Sequence, residues 1–490
     1  MSSVQEIPVI VGVGQILQRV EDPREAAEPL EMMIAALEQA AEDSGASNLL
    51  QRADSIYVVR GAWGYGDPGR EIARRLDAAP SETVGTPYGG NFAQCCVIDA
   101  ARKIQAAHRG IFLITGSENG HSQLQAQRQG VALRATELPG APNRMLAKDK
   151  AWVHEAELAR GLDSPGNIYA IIESAIRFAR GETMEAHTQR ISELWAGFNA
   201  VACGNPNAWI RMPYSAQEIG RASPDNPMIS YPYTRLMNAN PRVDMAAGLI
   251  LCSLETARNA GVPEEKLVFL HSATEANDSN WASTRADLHR SPAMRIAGGR
   301  ALELAGKTIV EIDHIDLYSC FPSAVQVAAT ELGIPEGRTL TVTGGLTFGG
   351  GPLNNYVLHA IARIAEVVRE DRGSTGLVSA NGGWLAKHAF GIYSTEPPAE
   401  GFRYENLQEQ IDACPVREYV VDWEGPVTIE AYTVAYEAGT ASIGYAACLL
   451  DDGRRTWGLI EDPVILEAMT CEEFCSRRGH LDGKGKLSLH

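Results

Sequence analysis

Positive charge is scarce in this chain of 490 residues: 43 lysines and arginines stand against 61 aspartates and glutamates, a formal charge of −18. A surface of that sign repels phosphate backbones, which speaks against non-specific nucleic-acid binding. Long apolar runs are also missing. The opening MSSVQEIPVIVGVGQ has no basic lead, and its apolar stretch is too short and glycine-rich for a signal peptide or membrane span. A soluble, cytoplasmic protein without a membrane partner is expected. The nine cysteines are odd in number and scattered, so no disulfide framework is implied. Cys95, Cys96, Cys252 and Cys448 stand in apolar runs, as buried reduced thiols do. Cys471 and Cys475 are one helical turn apart with no second ligand pair nearby, so no metal site is expected.

The chain is longer than one hydrophobic core usually organises, which predicts two or three domains. PVIVGVGQ has a buried-strand pattern, and PLEMMIAALEQAAEDSG follows with helical spacing and a closing glycine. ADSIYVVRG reads as a strand, CVIDAARKIQAAHRG as a helix, and IFLITGSENG as a buried strand ending in turn residues. This alternation predicts an α/β fold with a sheet covered on both faces. The pattern then returns. AMRIAGGRALELAGKTIVEIDHIDLYSCF repeats EMMIAALEQAAEDSGASNLLQRADSIYVV, and GGGPLNNYVLHAIARIAEVVREDRGSTGLVSANGG repeats GGNFAQCCVIDAARKIQAAHRGIFLITGSENG. Two similar halves imply an internal duplication, with a site where their loops meet. Residues 126–240 are irregular and rich in Arg, Asn, Pro and Tyr, with helices expected in GNIYAIIESAIRFARG and HTQRISELWAGFNAVA. Beyond about residue 400, REYVVDW, GPVTIEAYTVAYEAG and TASIGYAACLLDDGRRTWGLI read as strands of a separate small β-barrel.

These features together resemble the thiolase superfamily, on the duplicated architecture and on GSENG, LYSCFPSAV, GGLTFGGGPLNN and SANGGWLAKHAF. The resemblance covers residues 6–400 and implies a five-layered fold of two tandem βαβαβαββ halves that binds acyl-CoA. The tail resembles the added C-terminal domain of thiolase-like proteins of type 1, a barrel similar to an oligonucleotide-binding fold. The expected domains are residues 1–125 with 241–280 for the first half, 126–240 for the loop region, 281–400 for the second half, and 401–490 for the added domain. Thiolases carry a cysteine nucleophile at the start of the helix after the third strand, where helix-end amides stabilise a thiolate. Counting back from Ile104 and Gly116-Ser117-Glu118, that position falls on Gly90. The superfamily's Gly-His-Pro histidine falls on Gly351, and its second cysteine on Ala380. Of the Asn-Glu-Ala-Phe or His-Asp-Cys-Phe motif, only the second half of Tyr318-Ser319-Cys320-Phe321 is retained.

Three groups remain that can do chemistry where the halves face each other. Cys320 is a candidate acyl acceptor, against the plainer reading of a buried small hydrophobe. His388 is a candidate base, with Lys387 beside it to hold a phosphate or carboxylate. Asn381 and Asn91, like Asn354 and Asn355, can donate to a thioester carbonyl, although asparagine after glycine pairs is also ordinary turn chemistry. Cys95 is the lesser nucleophile candidate, and Gly90, Gly350, Gly351 and Phe321 are expected to line the substrate. His121, His314 and Glu118 carry less weight. For the CoA phosphates the loop region offers Arg128, Arg134, Arg144, Lys148, Lys150, Arg211 and Arg235. GVGQILQR is only a partial dinucleotide fingerprint. Two functions follow: a divergent acyltransferase related to acetyl-CoA acetyltransferases, working in lipid metabolism, or a non-catalytic CoA or acyl-CoA binder with the barrel as an interaction module. Neither requires a cofactor besides coenzyme A or acyl-CoA itself. Nucleic-acid binding by the barrel is disfavoured, because acidic residues outnumber basic ones about two to one from Arg417 onward. A monomer and a dimer are both open.

Overall fold

The computed structural model describes residues 6–78, 81–107 and 110–489. Residues 1–5 of the opening stretch and His108-Arg109 at the end of the first GGNF repeat's helix lie outside the described residues. In the first half the strands lie side by side in the order Pro8–Leu17, Asp244–Ser253, Ile111–Asn119, Ser55–Val58, Glu82–Gly85. In the second half the order is Val268–Asn277, Lys387–Ser394, Thr375–Gly382, His314–Asp316. The first two pairings are antiparallel and the third parallel in both halves, so the duplication seen in sequence is a duplication of topology. Val9 and Ile10 pair with Phe269 and Val268, which joins the two sheets.

Helices Phe92–Ala107 and Tyr356–Glu370 pack against each other and against strands of both halves, forming the central layer. Helix Pro29–Ser44 covers the outer face of the first sheet, and the segment Met294–Leu304 that of the second. This gives the five layers of the thiolase-like fold. The VGVG run is a packing device for that arrangement. A side chain on Gly12 would collide with the Ala40 carbonyl, and one on Gly248 would lie 2.8 Å from Ala36 of the covering helix. The glycines let helix and sheet approach closely, and no phosphate loop is formed there.

The loop region holds the two expected helices, Pro165–Arg180 and Met184–Gly204. Its short segment Arg144–Met145 pairs in parallel with the edge strand Glu82–Gly85. The C-terminal region is an antiparallel sheet of Glu424–Glu437, Thr440–Leu449, Arg455–Ile460, Arg478–Asp482 and Leu487–Leu489. It curls until the Leu459 amide donates to the Gly485 carbonyl at 2.8 Å, bringing its two ends together. REYVVDW, expected as a strand, forms only an isolated bridge from Tyr419 to Arg455. Its polar groups go elsewhere: the Val421 carbonyl accepts from Arg160 at 2.7 Å and the Tyr419 hydroxyl donates to Glu155 at 3.0 Å. The added sheet also recruits Met228–Ser230 of the loop region, where Ser230 pairs with Ala435. No helix among the described residues is long and apolar enough to cross a membrane.

Candidate functional site

The helix Phe92–Ala107 starts two residues after Gly90, between the halves. The turn before it is fixed from the other half, since the Gly89 amide donates to Asn354 at 3.0 Å and Asn354 in turn donates to the Arg60 carbonyl at 2.7 Å. Asn354 therefore serves the turn and is not free for a substrate. Asn355 donates likewise to the Gly116 carbonyl at 2.8 Å. Gly90 itself has no room for a side chain. A Cβ there would lie 2.5 Å from the Tyr318 hydroxyl and 2.6 Å from the Asn381 carbonyl. Tyr318 is the first residue of the YSCF motif, so that motif and the start of the central helix are in direct contact.

The glycine run at Gly349–Gly351 is equally packed. The Gly349 carbonyl accepts from the Trp209 amide at 3.0 Å, and the Gly351 amide donates to the Asn240 carbonyl at 3.0 Å. A side chain on Gly350 would collide with the Met245 sulfur, and one on Gly351 would lie 3.1 Å from the Asn240 carbonyl. Phe321 is buried between Tyr169, stacked at 4.5 Å, and Tyr233 at 5.7 Å. Gly350, Gly351 and Phe321 are thus packed against protein.

Cys320 lies beside this aromatic stack. The Asn381 amide reaches its sulfur at 3.9 Å and the Tyr169 hydroxyl is a further partner. Burial pushes the thiol up to about 12 despite these donors. At neutral pH it is a thiol. Asn381 and His388 face each other across the Thr375–Gly382 and Lys387–Ser394 hairpin, yet the His388 imidazole is turned to the Leu385 carbonyl at 3.2 Å and Asp278 at 3.4 Å. Burial acts to raise the Asp278 carboxyl, but its contacts with His388 and Arg285 outweigh that and hold it below the usual carboxylate range. Cys320 and His388 share a neighbourhood with Asn381 and are not bonded to each other.

A cavity of about 290 Å³ has a wall that brings together Cys95, Asn91, Glu275, Lys387 and Arg102 with Lys148 and Lys150. His388 also contributes to the wall. The Cys95 thiol donates to Glu275 Oε2 at 3.3 Å and receives the Asn91 amide at 3.6 Å. Burial, then the Glu275 carboxylate, raise this thiol well above its ordinary range. Glu275 Oε1 is held by the Tyr404 hydroxyl at 2.5 Å and by Asn406 at 3.2 Å. Lys387 donates to the Tyr88 carbonyl at 3.3 Å and lies 5.4 Å over the Phe92 ring. The Cys95–Glu275 contact spans 180 residues; sequence reasoning missed Glu275, and its only signal was an acidic residue at the end of a repeated strand.

The remaining candidates are dispersed. Arg144 is committed to Asp99 at 2.5 Å and Glu82 at 3.3 Å, while Arg128, Arg134, Arg211 and Arg235 are exposed. His121 packs beside Trp209 at 5.3 Å, and His314 pairs with Asp371 at 3.0 Å. Burial pushes Glu118 up to about 7, and its carboxyl accepts from the Ala62 amide at 2.8 Å, a loop-holding contact.

Comparison with known proteins agrees with this architecture. Residues 406–486 match the thiolase-like protein type 1 additional C-terminal domain. Acetyl-CoA acetyltransferases of Methanothermobacter thermautotrophicus and Methanocaldococcus jannaschii are 26% and 23% identical. These alignments cover 47% and 38% of this chain, and 59% and 44% of those proteins. The fold is shared with the dimeric peroxisomal thiolase of Saccharomyces cerevisiae, at TM-score 0.57 and 15% identity over 80% of this chain and 98% of that one. The crystal structure of a monomeric SCP2-thiolase-like protein type 1 from Mycobacterium smegmatis superposes with TM-score 0.84 and 30% identity, covering 99% of this chain and 100% of that one. With that identity over the full length of the Mycobacterium smegmatis protein and the additional C-terminal domain in place, the chain belongs to the SCP2-thiolase-like proteins of type 1.

Proposed function

We propose that this chain binds CoA or an acyl-CoA without performing the carbon-carbon chemistry of a thiolase. The observation that carries this reading is the Tyr318 hydroxyl standing where a side chain on Gly90 would have to be. The nucleophile is absent and its space is filled, so restoring a cysteine by one substitution meets both a side chain and a backbone carbonyl. Kinship with acetyl-CoA acetyltransferases supports the ligand class. The added domain, fastened to the body through Arg455, then serves as an interaction module. Calorimetric titration of the full chain with CoA tests the reading: saturable binding near one site per chain is expected, and no heat above dilution at millimolar CoA contradicts it.

A second reading, acyl transfer through Cys320, is favoured by the convergence of the Tyr169 hydroxyl and the Asn381 amide on its sulfur. Those donors stabilise a thiolate. The reading still lacks a base that reaches Cys320, and an acyl-enzyme search decides it.

A further inference from the structure

Lys387 is the unusual group in the cavity beside Cys95. It is 8% exposed, yet its ammonium has only the Tyr88 carbonyl and the Phe92 ring as partners and makes no ion pair among the described residues. Burial holds it below the ordinary lysine range, with nearby Lys150 acting in the same direction and Asp149 opposing. A desolvated amine loses its proton more readily than an exposed lysine and is the more nucleophilic for it. The register places Lys387 opposite Asn277 and Ala389 opposite Glu275 on paired strands. Lys387 and Glu275 are therefore diagonal neighbours on one face of the sheet, at the separation that lets side chains meet. Asn91, on the same cavity wall, has a buried side-chain oxygen with no hydrogen-bond partner. Arg102, Lys148 and Lys150, all exposed, set three positive charges on the cavity lining against Asp99 and Glu275, in a protein of net charge −18.

We infer that this cavity takes a small carbonyl compound bearing a carboxylate, and that Lys387 condenses with its carbonyl to form a Schiff base. The Lys387 nitrogen adds to the carbonyl carbon, and the proton it gives up passes to the carbonyl oxygen by way of Glu275. That hydroxyl then leaves as water with the remaining nitrogen proton, carried to it by Glu275, and the nitrogen lone pair forms the carbon-nitrogen double bond, with nothing oxidised or reduced. Asn91 accepts a hydrogen bond from the carbinolamine hydroxyl, and the basic rim pairs with the carboxylate. This activity is independent of CoA binding.

The test uses the full chain at neutral pH with pyruvate as an anionic probe and butanone as a neutral one, each trapped with cyanoborohydride and mapped by peptide mass spectrometry. Lys387 is expected to label at least tenfold faster than exposed lysines, and faster with pyruvate than with butanone. Lys387→Met should abolish that label, and Lys148→Ser with Lys150→Ser should erase the preference for pyruvate. An unchanged thermal unfolding midpoint in each variant establishes that the fold around the cavity persists. Labelling of Lys387 at or below the rate of exposed lysines overturns the inference. An unchanged fast label in Lys387→Met does so as well.

Discussion

A Cβ on Gly90 would stand 2.5 Å from the Tyr318 hydroxyl, so the start of the central helix and the YSCF motif are packed as one unit. Gly90→Ala is expected to cost about 1–3 kcal/mol, the usual penalty of overpacking. In a Tyr318→Phe background the cost should shrink without vanishing, because the Asn381 carbonyl at 2.6 Å remains. A double-mutant cycle in urea measures the coupling.

Acid should weaken the fold through His359. This side chain is buried among Gln15, at 2.9 Å, and Asn355, at 3.5 Å, and burial pushes it down to about 3. Below its ordinary value of about 6.5 the unfolded chain takes up a proton that the folded chain refuses, so stability falls with pH until about 3. The loss from this residue should approach about 2–3 kcal/mol between pH 6.5 and 4.5. His359→Gln should flatten that part of the stability profile, as read from denaturation midpoints at each pH.

Arg455 fastens the added domain. Fully buried, it donates to the carbonyls of Ala282 at 2.7 Å and Arg285 at 2.6 Å and pairs with Glu430 at 2.7 Å. Arg455→Met leaves Glu430 and the Arg285 carbonyl without the partner that Arg455 supplies and should cost about 3–5 kcal/mol. Limited proteolysis should then cut within 281–290, at the start of the second half, while the rest of both halves stays intact.

The edge of the first sheet is covered by the chain itself, with Arg144–Met145 on Glu82–Gly85 and the Leu146 amide donating to Gly85 at 2.9 Å. A covered edge cannot template pairing with a second copy. Light scattering should therefore find a monomer. Leu146→Pro removes the last donor and should raise the associated fraction with concentration.

Most of the fold was legible because it is written in local periodicity twice over: each half repeats helix, glycine and strand, and the sheet order repeats with them. REYVVDW misled because its β-branched run predicts a strand where the carbonyls are claimed by Arg160 and the neighbouring chain. The site was legible only as a set of losses. Gly90, Gly351 and Ala380 fall where the resemblance expects reactive side chains, but the partner of Cys95 is 180 residues away and the packing of Tyr318 against Gly90 crosses from one half to the other. Such pairings depend on strand register and layer stacking, which no short window of residues records. Cys320 and His388 each neighbour Asn381, yet His388 is paired with Asp278, a residue that carries no motif.

Ligand binding without thiolase chemistry is read from the fate of acetoacetyl-CoA on the protein. The full chain is incubated with acetoacetyl-CoA and CoA, and intact-protein mass and free acetyl-CoA are followed together. The account predicts an unmodified protein mass, no acetyl-CoA formed above the uncatalysed rate, and CoA retained non-covalently near one per chain. An acetyl or acetoacetyl adduct mapped to Cys320 or Cys95, with acetyl-CoA accumulating, would contradict it.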